Sequence, residues 1–450
     1  MNIKNLFLCI ILPFIFVGCA ETITGYSSVL KQYDTIYDNK ICDDKFIENK
    51  IKSKSDLIMW YELGASHKRN CLDYNMSSHY LDQAESLYQS DVDLENQALK
   101  ATKSVVAVIL NDNIDSYRGN IYETIMLNIY KGLNFMSVGD FKNARVEFNR
   151  ALDRQRRAKD TFKKEIDKKI ISLKKQDENL TKIALDSKSV KTVTDVYDKG
   201  IFLNFKAYPD FVNPFATYMS ALFFIADKDY KKARDLLKEN IAMDPNNQVF
   251  KDDFILVSNL LRNKNLKTNY IWVVYENGKS IRKNEMRIDV PLFIVSENVP
   301  YIGIVFPVLE EQNSSYTFLK IKNKKTNSVS DMDRVIKTEF KTKLPLIITK
   351  SLIRTTLKTI TTYSAMQKNE LLGYGFAVFN VLTNKTDVRG WVSLPKNFQV
   401  ARINNDGKNL DIISPDGKVI KNLSIPKGKN AIIYINSPIE GVNSVHDILF

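Results

Sequence analysis

The chain of 450 residues is poor in the residue types that most often carry enzymatic chemistry. It contains four cysteines and three histidines, and it has no nucleophile elbow, phosphate-binding loop or dinucleotide fingerprint. His67 and Cys71 could share a helical face, but together with His79 and Cys42 they match no tight metal-ligand spacing. The sequence therefore predicts no catalytic residues, no metal site and no cofactor.

The apolar stretch Leu6–Val17 is too short to cross a membrane permanently. A helix of this length rises about 18 Å, whereas the hydrocarbon core of a bilayer is about 30 Å thick. The stretch follows a basic start at Lys4 and ends at Gly18 and Cys19. This is the layout of a secretory signal.

The residues Val17, Gly18 and Cys19 resemble the lipobox of bacterial lipoproteins, with Phe16 where leucine is usual. The resemblance implies that residues 1–18 are a signal peptide that is removed. Cys19 then carries a diacylglyceryl group and an acylated amino terminus. Several acyl chains would hold the protein on a bilayer almost permanently. An ordinary signal peptide cut at a nearby small residue is the alternative.

Residues 19–25 are then a lipidated tether to the membrane. By the same resemblance, Ala20 and Glu21 lack the aspartate that retains lipoproteins at the inner membrane in some bacteria. We therefore expect a location at the outer membrane, facing the periplasm.

The formal net charge is +13, from 65 basic and 52 acidic residues. Basic residues are concentrated at 153–176, where Phe162 is the one aromatic residue. Nucleic-acid binding would need stacking aromatics or a recognisable module, so we expect no nucleic-acid partner. Acidic residues such as Glu165 and Asp167 alternate with the lysines and favour a solvated helix face. Attraction to anionic envelope polymers or lipid headgroups is the alternative.

Two cysteines remain once Cys9 leaves with the signal and Cys19 serves as the anchor. Cys42 and Cys71 are 29 residues apart. In an oxidising compartment they could form a disulfide that joins two helices. Two buried free thiols are equally compatible with the spacing.

Residues 26–265 are expected to be helical, because Gly and Pro are sparse and apolar residues recur every three or four positions. Residues 130–155 resemble a tetratricopeptide repeat, a pair of antiparallel helices joined at Gly139–Asp140. The resemblance places small residues at the helix contact and apolar residues on the second helix. These residues are Gly132, Ala144, Phe148 and Ala151.

A second copy of this repeat is predicted at residues 216–247. Its packing residues are Ala221, Ala233 and Leu237, and Pro245 follows the second helix. A degraded third copy at residues 60–88 would have a turn about eight residues longer than standard. Ala144 and Ala233 are 89 residues apart, which is not a multiple of the usual period of about 34 residues. We therefore expect helical hairpins similar to an α-solenoid but no regular tandem array.

Residues 268–450 are expected to form a β-rich, sandwich-like domain, so that the fold class is α+β. A helical insertion is predicted at about 331–367, with a kink or break at Pro345. The dipeptides Asn277–Gly278, Asp406–Gly407 and Asp416–Gly417 predict tight hairpin turns.

Further strands are predicted at residues 375–384 and 386–395, with Gly373–Gly375 as a turn before the first of them. Arg389 and Trp391 are two residues apart and would share one face of the second strand, with the guanidinium over the indole in an exposed cation–π contact at the surface.

The lipobox and two further blocks, Tyr117–Gln155 and Thr386–Ile403, look like a family of poorly characterised bacterial lipoproteins. That resemblance implies an anchor and a layout but no activity. We expect a non-enzymatic, lipid-anchored scaffold that binds protein partners in envelope assembly through its helical hairpins. The alternative is a carrier of an envelope glycan or lipid that acts through the β-rich domain.

Overall fold

The computed structural model of the chain describes residues 25–94, 116–208, 212–262, 268–290 and 302–450. The predicted signal peptide and Cys19 lie outside the described residues. The fold is mixed α+β, with a helical N-terminal half and β-sheets in the C-terminal part. The helices before the first strand are α1 (Ser27–Asp38), α2 (Lys45–Lys52), α3 (Leu57–Asn70), α4 (Tyr74–Leu94), α5 (Ile121–Ser137), α6 (Phe141–Gln176), α7 (Glu178–Ala184), α8 (Ser187–Lys199), α9 (Pro214–Ala226), α10 (Tyr230–Met243) and α11 (Gln248–Leu261).

Two helix pairs, α5 with α6 and α9 with α10, are joined by turns of the same design. In the first turn Gly139 has φ +81°, and Asp140 then caps α6 by accepting from the backbone N of Asn143. In the second turn Lys228 has φ +62°, and Asp229 caps α10 in the same way. An aspartate at the N-cap satisfies one of the free N–H groups of the first turn.

A third pair is formed by α3 and α4. The sequence predicts a long turn here, and that prediction is wrong. The connection between the two helices comprises only residues 71–73, and Leu72 adopts φ +63° within it. Close approach to α4 depends on Gly64, because a Cβ at this position would lie 3.0 Å from the ring of Tyr80.

The strands of the described residues form three sheets. The main sheet has the order β11-β10-β1-β7-β6, a smaller sheet has the order β5-β4-β8-β9, and β2 and β3 form a two-stranded sheet. Every pairing is antiparallel except that of β1 with β10. The strands are β1 (Tyr270–Asn277), β2 (Arg282–Val290), β3 (Ile302–Glu310), β4 (Lys320–Ile321), β5 (Lys324–Lys325), β6 (Asn327–Asp331), β7 (Asn397–Asn404), β8 (Leu410–Ile413), β9 (Val419–Leu423), β10 (Ala431–Ile439) and β11 (Val442–Leu449).

Strand β1 is buried on both faces of the main sheet. Ile271 and Val273 belong to a core shared with the smaller sheet, whereas Trp272 and Val274 belong to a core shared with the helices. This division follows the alternation of side chains along a strand. Across the helical face, the rings of Phe215 in α9 and Phe398 in β7 stack with centroids 3.5 Å apart. The main sheet therefore lies between the helical half and the smaller sheet.

The segment between β6 and β7 is a pair of helices, α12 (Met332–Lys368) and α13 (Glu370–Thr383). The prediction of a helical insertion is confirmed, but the break predicted at Pro345 is wrong because α12 continues through it. The strand predicted at 375–384 is also wrong, since α13 occupies this region. Gly373 lies inside α13, and a Cβ there would be 2.0 Å from Cγ of Met366. A short apolar run does not by itself distinguish a strand from a buried helix.

Three further predictions about turns and strands are corrected. Residues 386–395 contain no strand. At Asn277–Gly278 the chain passes from the main sheet to the β2–β3 pair instead of forming a hairpin, and the amide N of Gly278 donates to the carbonyl of Ser437 at 2.9 Å. At Asp406–Gly407 the chain passes between two sheets. Only Asp416–Gly417 joins neighbouring antiparallel strands, β8 and β9, as predicted.

Candidate functional site

Arg389 is the centre of a buried ion-pair cluster between α13 and β7, which we call the Arg389 cluster. Its Nη1 donates to Oδ1 of Asp56 at 2.6 Å, and its Nε donates to Oδ1 of Asp387 at 2.9 Å. The hydroxyl of Tyr26 also donates to Asp56. The guanidinium lies 5.5 Å from the ring centroid of Tyr26 and 5.6 Å from that of Tyr117. The predicted exposed contact of Arg389 with its strand neighbour is therefore wrong, because Arg389 is 1% exposed and bonded to the helical half.

Opposite charges outweigh the effect of burial on the pKa values of Asp387 and Arg389. Burial alone raises the pKa of Asp387, but the charges of Arg389 and Lys283 outweigh burial and lower that pKa far below its usual value. Burial alone lowers the pKa of Arg389, but the charges of Asp387 and Asp56 raise it above its usual value. Charges paired in this way hold chain segments together and do not act as a free acid or base.

The segments Tyr117–Gln155 and Thr386–Ile403 meet beside this cluster, at the N-terminus of α5. Oε1 of Glu123 accepts from the backbone N of Trp391 at 2.9 Å and from the hydroxyl of Tyr117 at 2.8 Å. Nε1 of Trp391 donates to Oγ of Ser66 at 2.7 Å, and its ring meets that of Tyr130 edge-on. These residues hold the helical half on the segment that precedes β7.

A second buried cluster, the Arg69 cavity, lies between α3, α5 and the main sheet. The guanidinium of Arg69 lies 4.5 Å from the ring centroid of Tyr130 and 5.4 Å from that of Tyr434. The hydroxyl of Tyr434 donates to Oε1 of Glu276 at 2.5 Å, and burial raises the pKa of Glu276. The cavity volume is about 20 Å³. That is enough for about one water, whereas ligand pockets usually have volumes of about 300–1,000 Å³.

A third network of charges lies inside the helical half. Nζ of Lys131 in α5 lies 2.7 Å from Oδ1 of Asp82 and 2.7 Å from Oε2 of Glu85, both in α4. It also lies 3.2 Å from Oε1 of Glu147 in α6. The helix α5 is therefore held to both neighbouring helices by one lysine.

The packing residues predicted from the repeat resemblance lie in the helical core. Gly132 faces the ring of Phe148, since a Cβ at Gly132 would lie 2.8 Å from Cε2 of that ring. The repeat resemblance predicts Gly132 and Ala144 as the small residues of this contact, and the atoms nearest to a Cβ at Gly132 belong to Phe148. Pro245 is exposed and follows the end of α10. Six of the predicted packing residues have no exposed surface: Ala144, Phe148, Ala151, Ala221, Ala233 and Leu237.

Cys42 and Cys71 form a disulfide, with Cα atoms 5.9 Å apart. The bond joins the loop before α2 to the end of α3. Both sulfurs are thereby unavailable to a metal. Across the described ranges, no group of three or more His, Cys, Asp and Glu side chains is arranged to hold a metal ion.

The ionisable residues at the two buried clusters have no recognisable signal in the sequence. Asp56, Arg69 and Glu276 stand in unremarkable local surroundings, and their partners are distant along the chain. Asp387 pairs with Arg389 two residues away, but nothing in this short segment indicates that Arg389 is buried. Only the fold brings them together.

None of the helices in the described part of the chain is both long and apolar enough to cross a membrane. Comparisons of the chain with protein-family models, with curated proteins and with solved structures found no match.

Proposed function

We propose that the chain is a non-enzymatic, lipid-anchored scaffold of the bacterial cell envelope. In this proposal Cys19 carries the lipid at the outer membrane, facing the periplasm, and the helical hairpins bind protein partners. The hairpins are proposed to be similar to tetratricopeptide repeats. The shared turn design of the α5–α6 and α9–α10 pairs supports that likeness, because the capping aspartates Asp140 and Asp229 keep the 89-residue offset of Ala144 and Ala233.

This proposal rests on the exposed faces of the helical hairpins. The first helix of each pair is covered by the protein itself: α9 is buried from Pro214 to Ile225, and most of α3 and α5 is buried as well. The second helices keep outward faces, as at Val146, which is 43% exposed. The partner surface proposed here therefore lies on α4, α6 and α10. It is not the concave groove lined by the first helices.

The charge of α6 indicates what kind of partner would bind there. Between Phe141 and Gln176 the chain has 13 basic and 5 acidic residues, a balance of +8. Several of the basic side chains in the second half of α6 are exposed, including Lys163, Lys164, Lys168 and Lys175. Complementary charge speeds encounter and selects against wrong partners. We propose a protein partner with an acidic face.

The experiment places a photo-crosslinking residue at Ile171, which is 53% exposed on α6, in intact cells. The expected result is one or a few discrete crosslinked proteins. The variant Lys168→Glu/Lys175→Glu should remove them. The matched control Lys421→Glu/Lys429→Glu changes two exposed lysines of the β-rich part and should leave them unchanged. A label at Val419, 56% exposed on β9, should capture different proteins or none.

Failure to capture any protein at Ile171 would overturn the scaffold proposal. Deletion of residues 268–450 is not a suitable test, because it would expose α9 and the other helices that pack on the main sheet. The carrier alternative lacks comparable support, since the Arg69 cavity has room for a water and not for a glycan or a lipid.

A further inference from the structure

Helix α13 presents an apolar stripe to solvent. Leu371 is 75% exposed, Tyr374 is 58% exposed and Val378 is 60% exposed, and their spacing of three and four residues places them on one face of the helix. No charged residue occurs from Leu371 to Asn384. An exposed apolar face of this kind indicates a surface that binds another protein or a membrane.

The opposite side of α13 is fixed against α12. Nδ2 of Asn380 donates to Oγ1 of Thr362 at 2.7 Å and to the carbonyl of Lys358 at 3.2 Å. Gly373 allows the two helices to approach closely at Met366. The exposed stripe therefore keeps a defined orientation on the body of the protein.

The chain next to the stripe has more basic than acidic residues. From Phe340 to Asn384 it has six basic residues and a single acid, Glu370, although Arg354 and Lys358 are buried. An apolar face on a helix pair with exposed lysines, here Lys341 and Lys368, suits the boundary between acyl chains and anionic headgroups. With 14 residues, α13 is about 21 Å long, which is too short to span a hydrocarbon core of about 30 Å. It would lie along the surface of a bilayer.

The start of the described chain lies next to the end of α13. A Cβ at Gly25 would be 3.7 Å from Cδ of Lys385, which is two residues beyond the last residue of α13. Cys19 is six residues before Gly25, and six residues reach at most about 20 Å. A lipid on Cys19 would hold the bilayer within the length of α13.

We propose that α13 rests in the interface of an anionic bilayer as a second membrane contact, and that it orients the protein on the membrane. This inference goes beyond the scaffold function, and it uses from that proposal only the lipid on Cys19. The lipid would supply attachment, and the stripe Leu371–Tyr374–Val378 would determine which side of the protein faces the membrane.

The test uses the full lipidated protein in vesicles of phosphatidylcholine and phosphatidylglycerol. Trp60, Trp272 and Trp391 are each at most 2% exposed, so a new tryptophan at an exposed site can be distinguished from them. In the variant Tyr374→Trp we expect blue-shifted emission and strong quenching by lipids brominated on their acyl chains. The control Val419→Trp, at a site of similar exposure on β9, should show neither effect. Quenching at residue 374 should weaken in vesicles of phosphatidylcholine alone.

Adding Leu371→Asp and Val378→Asp to Tyr374→Trp should abolish the quenching while the protein still floats with the vesicles. Flotation with no quenching at residue 374, or with equal quenching at residue 419, would overturn the inference and leave the anchor intact. A blue shift that depends on protein density without quenching would point to a second copy of the chain and would also overturn it. Failure to float would overturn both the anchor and the bilayer contact, whereas the crosslinking at Ile171 tests the scaffold separately.

Discussion

Arg389 and Asp56 are 333 residues apart in the chain, yet Nη1 of the arginine lies 2.6 Å from Oδ1 of the aspartate in a site closed to solvent. Asp56 immediately precedes α3, and Arg389 precedes β7. This ion pair therefore joins the helical half to the segment that leads into the main sheet. Its strength depends on both charges being present, because a buried charge without its partner is strongly unfavourable.

Replacement of Arg389 by Met should destabilise the folded protein by about 3–5 kcal/mol, since the buried Asp56 would lose its counter-charge and the partly exposed Asp387 would lose its partner. Urea unfolding followed by circular dichroism measures the change. The control Arg157→Met removes a pair with Asp153 in which both side chains are more than half exposed, and it should have an effect of about 0.5 kcal/mol or less. Equal effects of the two variants would contradict the importance assigned to the Arg389 cluster.

Glu62→Gln should stabilise the protein increasingly as the pH rises. Burial and the nearby charge of Glu123 raise the pKa of Glu62, so the folded chain holds this proton more tightly than the unfolded chain. The resulting contribution to stability is complete below the unfolded pKa of about 4.3 and is lost as the pH rises through the folded pKa. Above that lower limit, the advantage of the variant should grow by at most about 1.4 kcal/mol per pH unit.

Urea unfolding at several values between about pH 4.5 and pH 8 tests the expected effect of Glu62→Gln. The variant keeps an oxygen that can accept from the hydroxyl of Tyr88, which lies 2.6 Å from Oε1 of Glu62. The control Glu165→Gln makes the same substitution on the exposed face of α6 and should not reproduce the stabilisation by Glu62→Gln. If the stability difference for Glu62→Gln is constant across this pH range, the pKa of Glu62 is not raised in the folded chain.

Gly132→Ala should destabilise the α5–α6 pair by about 1–3 kcal/mol, because the added methyl overpacks a closed contact. The ring of Phe148 cannot move away easily, since it is fully buried and stacks on Phe223 with centroids 4.8 Å apart. Alanine has the better helix propensity by about 1 kcal/mol, so a gain in stability would show that the contact is loose. In the double variant with Phe148→Leu, the combined loss should be smaller than the sum of the two single losses.

Removal of the disulfide by Cys42→Ser/Cys71→Ser should lower the free energy of unfolding by about 3–4 kcal/mol, the range expected for a closed loop of this size. The bond spans 29 residues of sequence and includes α2 and α3. Thermal unfolding with and without a reducing agent measures the effect. The reductant should not change the unfolding temperature of the double variant. If it does not change the unfolding temperature of the native protein either, the disulfide contributes little to stability.

Cys19→Ser should leave an unprocessed precursor and abolish labelling by radioactive palmitate. The physical reason is that only the thiol of Cys19 can receive the diacylglyceryl group in the lipobox interpretation. Mass spectrometry of the purified chain measures its processing, and autoradiography measures the palmitate label. Cys9→Ser, within the proposed signal peptide, should be processed and labelled normally. An unchanged mature mass in Cys19→Ser would rule out the lipoprotein assignment.

The helical half could be predicted from the sequence because its signals are local. The turns before Asp140 and Asp229, and the apolar spacing that includes Ala144 and Ala233, are properties of short segments. The alternation along β1 is local in the same sense, and its burial on both faces agrees with a continuous apolar run.

The remaining features depend on contacts that are distant in the sequence. Residues 375–384 have a strand-like composition, but most of them belong to α13, which packs on α12 where Gly373 meets Met366. Arg389 and Trp391 suggest an exposed contact in an isolated strand, whereas the fold buries both against Asp56 and Ser66. No local pattern indicates such partners, so the clusters could not be predicted from the sequence.

Strand β1 lies between β7 and β10, and β10 is synthesised long after β1. Ile271 pairs with Ala431, 160 residues further on, and β10 is in turn completed by β11. Contacts of such separation form slowly, because a long loop must close before they stabilise anything. Until these last strands have been made, one edge of β1 has open backbone groups that can pair with other chains. The growing chain is therefore open to edge-to-edge aggregation until its central sheet is closed.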